Sequence, residues 1–420
     1  MLQVKKHTII LLIIIIILVC DLVIFWHFLA PHTSLSESAN EGNTLIKNEA
    51  LTIKAYHKGD NVNSYIQTQM ATCLRLAGHD DCYGKVAHEL SASFSLSNSL
   101  AILAKNESFA PVYARCHEVT HYLGRTEYEK TKDLAGVMAT CNSTCQGGCY
   151  HGAIEQFFKD NSSLSNSQIT SLIPKICESV RSLPGIKYDE CQHGLGHAGM
   201  LLTANNLPQS LILCDNLDNV TARERCYSGV FMENSSSSTT QITANPYVKK
   251  DDPLYPCSIL ASQYLKLCYQ YQSSYFAEIT NYNWTKTADL CLKEPKNYQN
   301  GCFYIIGSNQ VGFTEDPAVM KKDCLLMPDH NSQKNCIEGV ISSMTTRFIG
   351  DIKKMDSFCR LIQGDLKEDC YREIGRGVSY WQQSSSVTGD FCHQIDPQFE
   401  RDCRLPVPNP SDGIPEEFVK

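Results

Sequence analysis

Cysteines recur along this chain in closely spaced pairs, and the spacing of the pairs limits the fold more than any other feature. Eighteen of the 21 cysteines in the 420-residue chain form successive pairs whose members have seven to thirteen residues between them. From Cys141 onward, the first members follow one another at steps of 36, 37, 43, 34, 33, 35 and 33 residues. A period near 35 residues is typical of arrays of helical hairpins. We therefore predict an all-α fold of disulfide-stapled helical hairpins, either an α-solenoid or a toroid-like α/α superhelix.

The pairing leaves three cysteines: Cys116 and Cys145, which we pair with each other, and Cys20, which lies in an apolar N-terminal segment. Twenty cysteines outside that segment indicate an oxidising compartment. Each bridge across a short connector should contribute roughly 3 kcal/mol. The predicted disulfides are Cys73–Cys82, Cys116–Cys145, Cys141–Cys149, Cys177–Cys191, Cys214–Cys226, Cys257–Cys268, Cys291–Cys302, Cys324–Cys336, Cys359–Cys370 and Cys392–Cys403.

A glycine follows three residues after the second cysteine in several repeats. The sequence Cys-x-x-Gly ends at Gly152, Gly194, Gly229 and Gly339, each time before an apolar stretch with helical spacing. Glycine in a helix costs about 1 kcal/mol relative to alanine. Its recurrence therefore predicts close packing between the backbones of stacked repeats.

Three segments between Cys116 and Met200 each begin with cysteine and place two ligand-type side chains four residues apart. On an α-helix this spacing puts both side chains on one face, about 6 Å apart along the axis. Two imidazoles placed in this way can bind one metal ion. The candidate ligands are His117 and His121, His151 and Glu155, and His193 and His197, with His88 added from the preceding repeat.

The register of these ligands is uniform in two of the three segments. Counted from the second cysteine of the repeat, His151 and His193 occupy position +2. In three later repeats, position +6 is serine. The later repeats have no histidine at position +2 or at position +6. When Cys116 is taken as the reference for its own repeat, His117 and His121 lie one residue out of register, a rotation of about 100° on an ideal helix.

A mostly-histidine set with one carboxylate favours copper or zinc over calcium or magnesium, which prefer oxygen ligands. Glu155 has three candidate roles: a ligand, a general base beside a metal-bound water, or a partner that orients an imidazole. We assign it as the catalytic residue. The alternative interpretation is that the histidines are buried polar anchors without a metal.

The N-terminal segment is almost wholly apolar from His7 to Ala30, with Asp21 as an interruption, and two lysines precede it. This pattern predicts an uncleaved signal anchor with a cytoplasmic N-terminus and the remaining chain outside the cell; a cleaved signal peptide is the alternative. The predicted organisation is a cytoplasmic N-terminus (1–7), a transmembrane anchor (8–30), a stalk (31–61), histidine-bearing helical repeats (62–232), a polar loop (233–252), C-terminal helical repeats (253–405) and an irregular tail (406–420).

The net charge of the chain excludes one class of function, nucleic-acid binding. A net charge of −8 gives no basic surface for nucleic acid. We predict a membrane-anchored extracytoplasmic metalloprotein, either a copper-dependent oxidoreductase or a zinc-dependent hydrolase; a metal carrier without catalysis has the same sequence features. The alternative is a cell-surface scaffold that binds a protein or a glycan.

Arg376 and Glu373 are interpreted as part of a solvated helix face. Glycosylation sequons occur at Asn106, Asn142, Asn161, Asn219, Asn234 and Asn283.

Overall fold

The structure is a computed structural model that describes residues 53–76, 79–161, 166–183, 186–240, 245–348, 351–382 and 385–405. Within these ranges the chain forms helices and no strands, which confirms the all-α prediction. The predicted anchor (8–30) and tail (406–420) lie outside the described residues. None of the helices in the described ranges is long and apolar enough to cross a membrane.

Nineteen α-helices lie in the described part of the chain. Their bounds are α1 Val62–Arg75, α2 His79–Ser93, α3 Leu96–Asn106, α4 Ala110–Thr131, α5 Leu134–Thr140, α6 Gly148–Asp160, α7 Asn166–Ile176, α8 Lys187–Leu202, α9 Leu207–Asp215, α10 Val220–Thr240, α11 Ser262–Ile279, α12 Trp284–Cys291, α13 Gln299–Gln310, α14 Pro317–Cys324, α15 His330–Phe348, α16 Ile352–Leu361, α17 Asp365–Gln382, α18 Ser385–Cys392 and α19 Glu400–Arg404.

Eight long helices form a continuous inner layer. Helices α4, α6, α8, α10, α11, α13, α15 and α17 pack against one another in chain order. Most of the helices between them are shorter and lie outside this layer. Four outer helices begin in the same way, with an Asp or Asn side chain that accepts a backbone N–H of the first turn, at Asp133, Asn206, Asn283 and Asp316. The repeat inferred from the cysteine spacing is therefore one inner and one outer element.

Ten disulfides connect these elements, and each joins two cysteines that were paired from the sequence. Nine of them span 8 to 14 residues, and seven of these nine link an outer element to the inner helix that follows. The other two, Cys73–Cys82 and Cys392–Cys403, join α1 to α2 and α18 to α19. The tenth, Cys116–Cys145, spans 29 residues. It ties the middle of α4 to the turn before α6 and is not part of the repeat.

Glycines let successive inner helices touch backbone to backbone. A Cβ atom on Gly152 would lie 1.9 Å from the carbonyl oxygen of His121. The same contact recurs between Gly229 and the carbonyl of His193, and a third time further along the array. No other residue fits at these positions without a shift of a helix. The predicted close backbone packing is confirmed at Gly152, Gly229 and Gly339, whereas Gly194 faces the side chain of Ile154.

These contacts also correct the register of the first histidine segment. The reverse contact, from a glycine to the carbonyl of the next repeat's second cysteine, links Gly196 to Cys226 and Gly124 to Cys149. Gly196 lies five residues after Cys191, the second cysteine of its own repeat. Gly124 makes the same contact in α4, so the equivalent reference position there is five residues before Gly124, at Val119. The choice of Cys116 as reference was wrong, because this cysteine belongs to the additional disulfide. His121 is therefore at +2, level with the histidines of the next two inner helices.

The inner layer curls until its late repeats meet its early ones. The Tyr113 hydroxyl donates to the carbonyl of Thr314 at 3.3 Å. Arg347 donates to the Tyr113 carbonyl and lies over the Tyr113 ring. The Arg225 guanidinium stacks on the Tyr380 ring at 4.8 Å, and both residues line one interior cavity. Residues far apart in sequence thus come into contact.

Two predicted boundaries need correction. The last residues of the predicted stalk, from Ile53, pack on the first helices, and the N–H of Lys54 donates to Gln69 at 3.0 Å. The predicted polar loop begins too early, because α10 continues to Thr240. Its polar residues are accommodated by hydrogen bonds: Asn245 donates to the Asn234 carbonyl at 2.9 Å.

Two of the six sequons are buried. Asn106 and Asn234 are 3% and 1% exposed, and Asn106 donates to Asn63 and to the Ile102 carbonyl. A glycan on either asparagine is incompatible with this fold. The remaining four sequons stay predictions.

The backbone contact between inner helices gives a direct test. Gly339→Ala should lower the free energy of unfolding by about 1–3 kcal/mol, because the new Cβ would meet the Tyr304 carbonyl at 1.8 Å. Thermal unfolding with the disulfides intact measures the effect. The matched control is Gly199→Ala, also in an inner helix but with no atom closer than 3.8 Å; it should be neutral or stabilise by up to about 1 kcal/mol. Equal effects would contradict the proposed role of the contact.

Candidate metal centre

Five of the six predicted histidine ligands meet between three neighbouring inner helices. His151 of α6 is in the centre of the group. Its ring centroid lies 5.5 and 5.2 Å from those of His117 and His121 of α4, and 5.2 and 4.6 Å from those of His193 and His197 of α8. The array therefore brings imidazoles from three repeats to one place.

The two flanking pairs have the same geometry. The Nε2 atoms of His117 and His121 are 3.1 Å apart, and those of His193 and His197 are also 3.1 Å apart. Two nitrogens that bind one ion at about 2.0–2.1 Å with a tetrahedral angle are about 3.3 Å apart. Each pair is thus close to the spacing that a shared ion requires.

In the first pair, the Nδ1 atoms face groups that accept hydrogen bonds. His117 Nδ1 lies 2.8 Å from the carbonyl oxygen of Cys145. His121 Nδ1 lies 3.4 Å from the Glu155 carboxylate. A carbonyl oxygen and an ionised carboxylate can only accept, so both Nδ1 atoms carry the proton. The additional disulfide, which ends at Cys145, thereby helps to orient His117.

The second pair is held in the same way by α10. His197 Nδ1 lies 2.9 Å from the Glu233 carboxylate. His193 Nδ1 lies 2.7 Å from Ser228 Oγ, whose own proton is donated to the Arg225 carbonyl at 2.6 Å. The serine oxygen therefore accepts from His193. All four flanking imidazoles are protonated at Nδ1 and direct Nε2 at one another.

In each flanking pair, the Nε2 atom of one ring faces the Nε2 atom of the other. Burial lowers the pKa of His117 to about 3 and those of His151 and His193 well below the usual value, so these rings are neutral. Each flanking pair therefore has at least one ring whose Nε2 lone pair is available to a cation placed between the two nitrogens. Metal-binding histidines are typically held by such Nδ1 hydrogen bonds.

His151 has the least satisfied side chain of the five. It is 3% exposed, and neither ring nitrogen has a hydrogen-bond partner. The nearest carboxylate oxygen, of Glu190, is 3.8 Å from Nε2, beyond hydrogen-bond distance. A buried polar group without a partner costs about 1–3 kcal/mol. Coordination to a metal ion removes that cost.

The ligand nitrogens divide into two sets that share His151. His117, His121 and His151 form one set and His151, His193 and His197 the other, with the ligand atoms of each set within 4.8 Å of one another. A third group, at Cys116 and Cys145, offers no thiolate because these cysteines are disulfide-bonded. The structure thus contains groups that can hold a metal ion, and they are histidines.

Two predicted site residues have other roles. His88 lies on α2 with its side chain 75% exposed, next to Glu89, and is not part of the cluster. Burial disfavours the charge of Glu155, but His121 and Arg125 outweigh it and hold its pKa below the usual range. The Nε of Arg125 donates to this carboxylate at 2.9 Å. A carboxylate held in this way is a weak general base, and its contact with His121 Nδ1 suits it to orient that ring. Its assignment as the catalytic residue stays a prediction.

A cavity of about 540 Å³ opens beside the histidines, within the size range of small-molecule sites. His117, His151 and His193 form part of its wall. Glu190 of α8 also lines it, and burial raises the pKa of this carboxyl to about 7 although Arg225 opposes the shift. The cavity therefore combines imidazole ligands with a carboxyl group suited to proton transfer near neutral pH.

Another part of the cavity wall is polar. Ser274, Ser308 and Ser342 line it, one from each of three inner helices. Arg376 and Glu373, which form an ion pair, also line the cavity, and Glu373 is buried. The interpretation of these two charges as a solvated helix face was therefore wrong.

Aromatic side chains lie where the cavity meets solvent. Tyr282 and Phe313 line the cavity and are 40% and 55% exposed, with ring centroids 4.3 Å apart. Trp284 packs on Phe313 at 5.9 Å. A ligand that enters would pass this aromatic edge.

Sequence reasoning missed part of this site. The serines share position +6 of the repeat, so their common orientation is visible in the sequence once the register is known. Glu190 and Arg225 carry no comparable signal, because their positions follow from the curl of the array. Comparisons of the chain with protein-family models, with curated proteins and with solved structures find no match.

The role of Glu155 can be tested by Glu155→Gln, which keeps the shape of the side chain and removes its charge. Because this carboxylate orients His121, we expect metal affinity to fall about 10–100-fold, measured by competition with a chromogenic chelator. Turnover at saturating metal should be unchanged. A loss of turnover with full metal content would instead support Glu155 as the catalytic base.

Proposed function

We propose that this protein is an exported, metal-dependent hydrolase that acts on a small polar substrate with zinc at the five-histidine centre. The observation that carries the proposal is the pairing of four Nε2 atoms, 3.1 Å apart within each pair, on either flank of a buried imidazole without hydrogen bonds. Such a donor set binds zinc or copper in preference to calcium or magnesium. Three imidazoles per ion leave a coordination position open, as in catalytic zinc sites.

The chain supplies the remaining groups for hydrolysis. Zinc lowers the pKa of a bound water to about 7 and so provides hydroxide at neutral pH. Glu190 lies beside His151 on the cavity wall, where it can take a proton from a water and return it to the leaving group. The added water divides as hydroxide on the attacked atom and a proton on the leaving group, so no further reactant is needed.

The cavity wall supports a polar substrate. The three serines and the ion pair of Arg376 with Glu373 offer both donors and acceptors. The aromatic edge at Tyr282 and Phe313 provides an apolar contact where the substrate enters. A substrate of small-molecule size fits the volume.

The location follows from the cysteines and the N-terminal sequence. Ten disulfides are consistent with an extracellular protein. We propose that segment 8–30 anchors the chain in the cell membrane, with the N-terminus in the cytoplasm and the repeats outside.

A copper-dependent oxidoreductase is the second candidate. The two histidine sets are compatible with it, since copper as well as zinc binds sites made of imidazole alone. The scaffold hypothesis, in which the histidines are structural anchors, requires satisfied imidazoles. His151, with two buried nitrogens lacking partners, speaks against it.

The test compares Glu190→Gln with the wild-type protein after loading with zinc. Hydrolysis of p-nitrophenyl acetate and bis(p-nitrophenyl) phosphate should fall about 10²–10⁴-fold, while zinc content from elemental analysis stays unchanged. His88→Ala, a histidine outside the centre, should match the wild type in both.

Three outcomes would overturn the proposal. Wild-type protein without bound zinc or copper would leave the histidines structural. Bound zinc without hydrolysis of either probe would leave a metal carrier. Oxygen consumption with a reductant in the copper-loaded protein, together with no hydrolysis in the zinc-loaded one, would favour the oxidoreductase.

A further inference from the structure

We infer that the centre holds two metal ions and that His151 bridges them, with one ring nitrogen directed at each ion. The inference rests on the proposed metal centre. It adds that the centre is dinuclear and assigns a role to the one histidine that belongs to both ligand sets.

The arrangement of the flanking pairs calls for two ions. Each pair alone reaches the nitrogen–nitrogen distance of a shared ion, 3.1 Å, and both pairs are neighbours of the His151 ring, with centroids 5.2 Å from His121 and 4.6 Å from His197. Two ligands of one ion are at most about 4.2 Å apart, twice the metal–nitrogen distance. The five nitrogens form two compact sets of three, not one set of five. One ion at each pair satisfies every flanking histidine.

Each ion then needs a further ligand, and His151 is the residue common to both sets. Both of its nitrogens are buried and without hydrogen bonds. In the four other imidazoles one nitrogen is occupied by a hydrogen bond to the protein. The chain thus fixes one coordinating nitrogen on each flanking ring and leaves both nitrogens of the central ring for metal.

Binding of both ions converts the central imidazole to imidazolate. Two metal–nitrogen bonds form, the ring N–H bond breaks, and the proton passes to solvent; no electron is transferred. The width of the ring and two bonds of about 2.0–2.1 Å place the ions about 6 Å apart. The negative charge of the bridge reduces their repulsion. The Glu155 and Glu233 carboxylates, one behind each pair, act in the same direction.

The first measurement is the number of ions per chain. The full-length protein is stripped of metal, incubated with excess zinc and examined by native mass spectrometry. We expect two ions in the wild type, one in the double variant His117→Ala/His121→Ala and one in His193→Ala/His197→Ala. His88→Ala should keep two. Near-ultraviolet circular dichroism checks that each variant is folded.

The second measurement uses the wild type alone and so does not depend on the folding of a variant. With two Cu²⁺ ions bound, coupling through an imidazolate should remove most of the electron paramagnetic resonance signal expected from two isolated ions. The single-site variants should show the full signal of one copper. His151→Ala should retain copper at the flanking pairs, with lower affinity and no coupling.

The results separate this inference from the proposed function. One ion per wild-type chain, or two uncoupled copper ions that His151→Ala leaves unchanged, would overturn the bridge while the metal centre stands. No bound metal in the wild type would overturn both. Two coupled ions in a protein without hydrolytic activity would support the bridge and contradict the hydrolase.

Discussion

The close approach of successive inner helices is the constraint on which the rest of the structure depends. Where a glycine faces the backbone carbonyl of the preceding inner helix, as Gly152 faces His121 and Gly229 faces His193, neither helix can slide without a clash. Equivalent positions of successive repeats are therefore held at one level. Histidines at those positions come together across three helices, although they lie 30 and 42 positions apart along the chain.

Assembling five imidazoles in a buried site is unfavourable unless their polar atoms find partners. The protein supplies partners for four of them through Nδ1, from a carbonyl, a serine and two carboxylates. The lone pairs that remain are directed inward, and His151 is left with no partner at all. This uneven distribution distinguishes a ligand set from a group of structural histidines, since structural histidines would use both nitrogens.

The curl of the array brings polar side chains of the late repeats to the cavity that the histidine-bearing helices line. Contacts such as Tyr113 with Thr314, and Arg225 with Tyr380, bring late repeats opposite early ones. The serines at position +6 of three late repeats line the same cavity as His117, His151 and His193 of the early repeats. The curl of the array thus places metal-ligand candidates and neutral polar groups on one cavity wall.

The sequence by itself determined the helical repeat, the ten disulfides and the candidate histidines, because these follow from spacing, and spacing is a local property of the chain. It also predicted five of the residues that meet at the centre. Tertiary structure decided the rest: that Val119 and not Cys116 sets the register of α4, that His88 points to solvent, that Glu155 orients an imidazole, and that Glu190 faces the cavity. Those outcomes depend on how far the stack curls and on which backbones touch, and both are set by packing between residues distant in sequence.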